Sequence, residues 1–312
     1  MVFSAGCGLL EVLMSPILDA VPSQRKAGDM ALLHAFYPIG KLAVIVGTAV
    51  ALLLIGPGGW PWVVAAWSLV PVVGIWLFAT IPLPSLDPGG RRVRARDLLR
   101  SGGFRLALLA MVFAGATEVA FAQWTSAFAQ HGLGVSQAVA DLVGFGLFAV
   151  GMAAGRLWFG MYGVGHNLVR TLSLGAAASA AVYLLAALSP WPVVSLAACA
   201  CAGLAVSMLW PGTLSFAAAR WPVGGAVVFA AMAAAGDGGC AVGPWLVGLA
   251  ADAAGDLPAL AGWLPGASAG TDSAGLRLGM LVGAAAPIAL LFCAWRLARR
   301  GEIERHPACH QP

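Results

Sequence analysis

Nine long apolar runs dominate the chain and limit what it can fold into. Each is about 20 residues long or more, the length that a helix needs to cross the hydrocarbon core of a bilayer. They lie near residues 4–22, 30–55, 61–82, 104–129, 137–158, 169–188, 191–215, 224–251 and 277–297. The runs are continuous and do not alternate with polar residues, which predicts helices and not barrel strands. We therefore expect an all-α membrane protein of about nine transmembrane helices.

Composition excludes several classes of protein. Of the 312 residues, 60% are hydrophobic and only 10% are charged, whereas soluble domains carry about 25% charged residues. A soluble enzyme, a nucleic-acid-binding protein and a disordered chain are therefore excluded. The sequence contains no Walker loop, dinucleotide fingerprint, nucleophile elbow or HExxH motif, so we expect no enzyme and no cofactor. We expect no metal site either, because the spacing of His306, Cys309 and His310 in the tail matches no closed zinc site.

The basic residues predict the orientation of the helices. Counted along the nine runs, 15 of the 17 Lys and Arg residues fall on one side, Arg277 falls on the other, and Lys41 lies inside a run. Loops rich in Lys and Arg remain in the cytoplasm. We therefore expect an integral protein of the inner (plasma) membrane with its C-terminus in the cytoplasm.

An internal repeat joins the first and seventh runs. An offset of 195 residues aligns Gly8 with Gly203, Pro16 with Pro211 and Arg25 with Arg220. Parallel repeats of this kind, joined by a basic loop such as 83–103, are typical of transporters built from two six-helix halves. Compositional coincidence in a chain rich in Gly and Leu is the alternative.

Six stretches carry a resemblance to a known family. They are GCGLLEVLMSPILDAVP (6–22), LLHAFYPIGK (32–41), GATEVAFAQWTSAFAQHGLGVS (115–136), GMAAGRLWFG (151–160), SMLWPGTLS (207–215) and AAAGDGGCAVGPWLVGL (233–249). Together they resemble spans four to twelve of a major facilitator superfamily transporter, of the type similar to fucose permease-like sugar transporters. The resemblance implies a partial fold of this superfamily that lacks the first three helices. Its expected parts are three spans of the N-terminal half (1–82), a basic cytoplasmic linker (83–103), a six-helix C-terminal half (104–298) and a cytoplasmic tail (299–312).

The resemblance also implies a function. We expect secondary active transport of a small polar solute such as a sugar, by alternating access in the lipid bilayer, with coupling to protons or another ion and no nucleic-acid partner. The competing hypothesis is a non-transporting membrane protein, either a truncated remnant or a fragment of such a transporter.

Three acidic residues inside the runs are candidates for proton coupling: Glu11, Glu118 and Asp237. A charge at the centre of a membrane helix costs about 2.5–3.5 kcal/mol on insertion scales, which favours a functional interpretation. For Glu11 the resemblance implies a protonatable carboxylate on a helix that lines the central cavity, and the alternative is a structural pair with a neighbouring helix. Asp237 lies between glycines, where a loosened helix can bind ions. An offset of 196 residues aligns it with Lys41, which suggests charge compensation.

Candidates for solute contacts lie on two spans. His34, Tyr37 and Lys41 are spaced three, four and seven residues apart, which places them on one helical face, and Lys41 could instead pair with Glu11. Gln123 and Trp124, close to Glu118, offer an amide and an indole of the kind that sugar sites use. The alternatives are an interfacial position for His34 and plain packing for Trp124.

Arg156 is the candidate gating residue. It follows Gly151 and Gly155, a small-xxx-small spacing that permits close helix approach, and we expect it at the cytoplasmic end of the fifth span. The resemblance implies that an Arg in this position latches the cytoplasmic gate by binding helix-end carbonyls or acids. A positive-inside anchor is the alternative.

Overall fold

A computed structural model describes residues 2–86, 93–163, 165–254, 264 and 271–304, and the regular structure in these ranges is helical throughout. The helices are α1 (Val2–Ala20), α2 (Lys26–Ile55), α3 (Trp60–Thr80), α4 (Ala95–Arg100), α5 (Gly102–Ala127), α6 (Gln137–Asp141), α7 (Phe148–Tyr162), α8 (Leu168–Leu188), α9 (Pro192–Val206), α10 (Leu209–Arg220), α11 (Gly225–Ala253), α12 (Thr271–Gly283) and α13 (Ala285–Glu304). The tail residues His306, Cys309 and His310 lie outside the described ranges, as does 87–92 of the predicted linker.

Eight helical segments within the described residues are long and apolar enough to cross a membrane. They are Lys26–Ile55, Pro57–Thr80, Gly102–Gly132, Gln137–Tyr162, Leu168–Leu188, Pro192–Arg220, Pro222–Ala253 and Ser273–Arg299. Helix α1 has 19 residues, which corresponds to about 28 Å and is close to the thickness of the hydrocarbon core. The all-α membrane fold predicted from the apolar runs is confirmed.

Local sequence sets where the spans begin and break. The side chain of Ser101 accepts a hydrogen bond from the Phe104 amide at the start of α5, and Asn167 caps α8 in the same way. Such caps satisfy amides that have no partner within the helix. Two spans contain π-helical turns, at Phe128–Gly132 and Leu142–Leu147. Another span is interrupted between α9 and α10, at Ser207 and Met208.

The spans pack as two groups that touch over a limited region. We call α1–α3 the first group and α5–α13 the second group. Within the second group, Phe121, Phe128, Phe148 and Tyr183 belong to the main hydrophobic core. In the first group, only 6% of the most apolar stretch of α2 is buried, and the same holds for the span that contains α3. The second group is thus the well-packed body against which the first group lies.

Glycines bring the helix backbones of the second group close together. A Cβ atom on Gly239 of α11 would stand 1.9 Å from the carbonyl oxygen of Val112 in α5, and one on Gly115 would stand 2.3 Å from the Gly236 oxygen. Between α7 and α9, a Cβ on Gly203 would stand 1.9 Å from the Phe148 oxygen. No larger residue fits these three positions without moving the helices apart.

Candidate functional site

A buried ion pair lies at the centre of the candidate site. The Nη2 atom of Arg156 in α7 donates to both carboxylate oxygens of Glu118 in α5, at 3.1 Å and 3.0 Å. Arg156 is 2% exposed and Glu118 is 8% exposed. Breaking a buried pair of this kind is strongly destabilising, because it leaves an uncompensated charge in a medium of low dielectric constant. The pair therefore fixes α5 and α7 relative to each other.

Two prolines explain the other hydrogen bonds of Arg156. Its Nε atom donates to the Ser207 carbonyl at 2.9 Å, and its Nη1 atom donates to the His34 carbonyl at 2.9 Å. Each carbonyl lies four residues before a proline, Pro211 and Pro38 respectively, and proline has no N–H to donate back to it. Arg156 thus satisfies two main-chain acceptors that the prolines leave without a helical partner.

The depth of Arg156 differs from the prediction. We expected Arg156 at the cytoplasmic end of its span, whereas α7 continues to Tyr162 and the guanidinium is buried. Side chains lean toward the N-terminus of their helix, which carries the guanidinium away from the end of α7. The bond to His34 also crosses from the second group to the first, so Arg156 joins the two groups.

A cavity between the groups gathers four of the predicted polar residues. Tyr37 and Lys41 line it from α2, and Glu118 and Gln123 line it from α5. Phe145, in a π-helical turn, contributes an aromatic wall, and Phe148, Ala149 and Met152 complete that side. Its volume is about 260 Å³, slightly below the range of about 300–1,000 Å³ typical of ligand clefts. A cavity of this volume limits any ligand to a small molecule.

Lys41 lies in this cavity without a carboxylate partner. Its Nζ atom is 6.0 Å from the centroid of the Phe145 ring. None of the ion pairs found among the described residues includes Lys41, so the possible pair with Glu11 is not formed in this structure.

Glu11, His34 and Asp237 lie on another side of the site. Glu11 and His34 line a separate small cavity next to Trp210 and Phe229. The His34 ring therefore does not share the cavity of Tyr37 and Lys41, and its Nδ1 atom lies 3.0 Å from the Met30 carbonyl oxygen. Asp237 is exposed on α11, and α11 packs against α1, the helix that carries Glu11.

Trp124 faces away from the cavity. Its Nε1 atom donates to the Pro244 carbonyl of α11 at 2.9 Å, and its ring lies against Gly248. Successive residues on a helix point about 100° apart, so Trp124 cannot share the direction of Gln123. The structure thus matches the packing alternative for Trp124 and not a place in the cavity lining.

The two groups meet at one end of the bundle. We call this the basic end, because Arg25, Lys26, Arg100, Arg170 and Arg220 lie at or next to the helix ends there. Arg25 donates to the Gly160 carbonyl, and a Cβ on Gly28 would stand only 3.0 Å from the Gly160 oxygen. Along α2, the cavity residues Tyr37 and Lys41 lie beyond this contact, toward the other end. The contact therefore joins α2 to α7 on the basic side of the cavity.

Sequence reasoning missed two parts of the site. The carbonyls of His34 and Ser207 carry no side-chain signal, although Pro38 and Pro211 inside spans mark them. Phe145 is an apolar residue among many in its run, and only the π-helical turn directs it toward Lys41. A rule that pairs a buried Arg with each carbonyl four residues before a proline would have found the carbonyls of His34 and Ser207.

The chain matches known proteins by family and by fold. The family model of the Major Facilitator Superfamily matches residues 1–244. The fold is similar to the crystal structure of the E. coli fucose:proton symporter FucP, with a TM-score of 0.73 and 16% sequence identity, over 94% of this chain and 74% of that chain. At this identity the similarity concerns the fold alone. No curated protein sequence matches the chain.

Proposed function

The chain belongs to the Major Facilitator Superfamily and is an integral membrane transporter, not an enzyme, and we propose that it moves a small polar solute such as a sugar by proton-coupled alternating access. In this proposal the basic end faces the cytoplasm, the C-terminus lies on the same side, and the membrane is the inner membrane. Residues 1–82 and 104–298 act as the two moving bodies, connected by the linker 83–103 and followed by the tail 299–312.

The cavity between the two groups is the observation that carries the proposal. It places Tyr37, Lys41, Glu118 and Gln123 around a space of about 260 Å³. The groups touch at the basic end, through Gly28 and Gly160. A site between two helix groups that are closed at one end is what alternating access requires. Opening that contact while the other end closes would expose the same site to the opposite side of the membrane.

The Glu118–Arg156 pair offers a link between protonation and this contact. The Glu118 carboxylate holds the guanidinium that also donates to His34 of the first group. Protonation of Glu118 removes the negative charge that anchors the Arg156 guanidinium, so the guanidinium is held less firmly in the position from which it donates to the His34 carbonyl. We assign Glu118 to proton coupling and Arg156 to gating on this basis.

Glu11 and Asp237 are the other proposed proton sites. They lie on α1 and α11, one in each group, so a change in the charge of either alters the repulsion between the groups. Helix α1 packs on α11, so the two acids lie on neighbouring helices.

Transport by proteoliposomes tests the proposal. We expect the wild-type protein to accumulate a solute from a panel of radiolabelled sugars and hydroxy acids when a proton gradient is imposed. Glu11→Gln is expected to abolish this accumulation and to spare counterflow of the same solute, because exchange needs no net proton movement. Asp19→Asn is the control, since Asp19 lies on the same helix and pairs with Lys26 at the basic end. Normal accumulation by Glu11→Gln would remove Glu11 from the mechanism, and no transport of any solute would favour the non-transporting alternative.

A further inference from the structure

Lys41 carries a charge that its surroundings do not compensate. It lies midway along α2, where an ammonium group is costly unless it is neutralised. Its Nζ atom is 6.0 Å from the centroid of the Phe145 ring, at the outer limit of a cation–π interaction. The aromatic contact is therefore too weak to account for a lysine at this depth.

The one carboxylate in the cavity lining is already occupied. Both oxygens of Glu118 accept hydrogen bonds from Arg156. This pair is neutral, so Glu118 does not compensate the charge of Lys41. Of the other acids nearby, Glu11 lines the neighbouring cavity with His34 and Asp237 is exposed on α11. Neither belongs to the lining around Lys41. Among the described residues, the cavity therefore has a net positive charge when its groups are in their usual ionisation states.

We propose that the transported solute carries a carboxylate and that Lys41 binds it. The proposal rests on the proposed function, because it assumes that this cavity is the solute site. The hydroxyl of Tyr37 and the amide of Gln123 are the neutral groups available for hydroxyls on the same molecule, and Phe145 and Phe148 offer apolar faces. A single lysine carries one positive charge, which matches a carboxylate, whereas a phosphate monoester carries a charge of about −1.5 to −2 at pH 7. The solute class is thus a small hydroxylated carboxylic acid and not a neutral sugar.

Ligand-induced thermal stabilisation of the purified, full-length chain tests the solute class without depending on transport. Gluconate, glucose and glucosamine share a six-carbon framework and differ in charge. Because a ligand that binds the folded state stabilises it according to its occupancy, we expect gluconate to raise the melting temperature at concentrations at least tenfold lower than either of the other two. The panel also includes hydroxy acids of three to five carbons.

Substitution of Lys41 tests the residue. Lys41→Gln removes one charge-assisted hydrogen bond, which is expected to weaken the binding of gluconate or the best acid by about 10- to 100-fold. The variant is expected to fold, because it removes a charge that has no carboxylate partner. Lys41→Arg keeps the charge and should retain part of the affinity. Lys26→Gln is the matched control, since Lys26 is the other lysine of the chain and lies at the basic end beside Asp19.

The outcomes separate this proposal from the proposed function. Stabilisation by glucose equal to that by the acids, unchanged acid binding in Lys41→Gln, or no stabilisation by any acid of the panel would overturn the solute class. Proton-driven uptake of a neutral sugar would then leave the transport function standing. Acid binding that is lost in Lys41→Gln, together with no uptake in proteoliposomes, would support the site and contradict the transport function.

Discussion

Arg156 joins three stretches of chain that are far apart in sequence. It binds Glu118 of α5, the Ser207 carbonyl at the break between α9 and α10, and the His34 carbonyl of α2. Pro38 and Pro211 create the need for two of these bonds, since a buried carbonyl without a partner costs about 1–3 kcal/mol. One guanidinium thus satisfies a charge and two main-chain acceptors at once.

We expect Arg156→Lys to be destabilising although it keeps the charge. A lysine ammonium is a point charge on a flexible stem and lacks the planar fork of Arg, so at least one of the two carbonyls should lose its donor, at a cost of about 1–3 kcal/mol. Arg156→Gln should cost more, about 3–5 kcal/mol, because Glu118 is then buried as an unpaired charge. Thermal unfolding of the purified variants measures both effects.

The double variant Arg156→Gln with Glu118→Gln provides the control for this prediction. It removes both charges, so it should unfold at a higher temperature than Arg156→Gln alone. If all three variants melted at the wild-type temperature, the pair would have no structural importance.

At the residue scale, the sequence predicted which polar groups lie inside the spans better than it predicted where they point. Charges inside apolar runs marked Lys41 and Glu118, and the structure brings both to one cavity with Tyr37 and Gln123. The direction of Trp124 could not be read from its position next to Gln123, because the partner that orients it, the Pro244 carbonyl, comes from another helix. Directions on a helix depend on neighbours that a single sequence does not identify.

At the element scale, glycines bring α5 and α11 of the second group into close contact. The contact includes Gly115, Gly236, Gly239 and Gly243, each with an atom of a neighbouring helix within 3 Å of the place where a Cβ would stand. Because α11 carries Asp237 and α5 carries Glu118, this contact also sets the relative positions of two proposed proton sites.

We expect Gly239→Ala to destabilise the protein by about 1–3 kcal/mol or more, which is the usual cost of overpacking a closely packed contact. The added methyl group would stand 1.9 Å from the Val112 oxygen. The neighbouring Gly238 has open space around it, so Gly238→Ala should be neutral or slightly stabilising, since Ala is the better helix former. Melting temperatures of the two variants make the comparison, and equal values would contradict the close approach of α5 and α11.

Apolar length predicted the spans, but it could not predict how they are interrupted. The run near 191–215 is one span that contains the break between α9 and α10, and the two π-helical turns lie in continuous apolar sequence. Such irregularities depend on local backbone hydrogen bonding and on neighbours, and hydropathy is averaged over a whole turn or more. The sequence therefore predicted the order of the spans better than their inner geometry, and it predicted nine spans where eight helical segments of the described residues are long and apolar enough.

At the scale of the whole molecule, the two groups of helices are in contact at the basic end. Gly28 and Gly160 approach each other there, Arg25 binds the Gly160 carbonyl, and Leu32 packs against Gly160. The cavity lies beyond this contact. The architecture is therefore that of one end state of the alternating-access cycle in our proposal.

A covalent link across this contact should stop transport. We expect the Gly28→Cys, Gly160→Cys double variant, in a background without the six native cysteines, to lose uptake when it is oxidised. Reduction should restore uptake, because the groups must separate at the basic end once per cycle. Each single cysteine variant treated with the same oxidant is the control. Full uptake with the disulfide formed would show that this contact does not open.

The family and the overall arrangement of helices could be predicted from the sequence, because motifs such as GMAAGRLWFG and the spacing of the spans are properties of the chain itself. The family match confirms that prediction, and the fold similarity to FucP agrees with it. How the two groups meet at Gly28 and Gly160 could not be predicted, because it depends on which of several low-energy arrangements the chain adopts.

The glycine contact has a consequence at the level of the gene. Every nucleotide change that replaces a glycine codon with that of another amino acid introduces a bulkier residue, and at Gly239 or Gly203 even alanine is too large. Random mutation therefore has no mild missense outcome at these codons. Natural variants or mutagenesis libraries selected for a working protein should show these codons changed only synonymously. The codon of the neighbouring Gly238 should accept replacement.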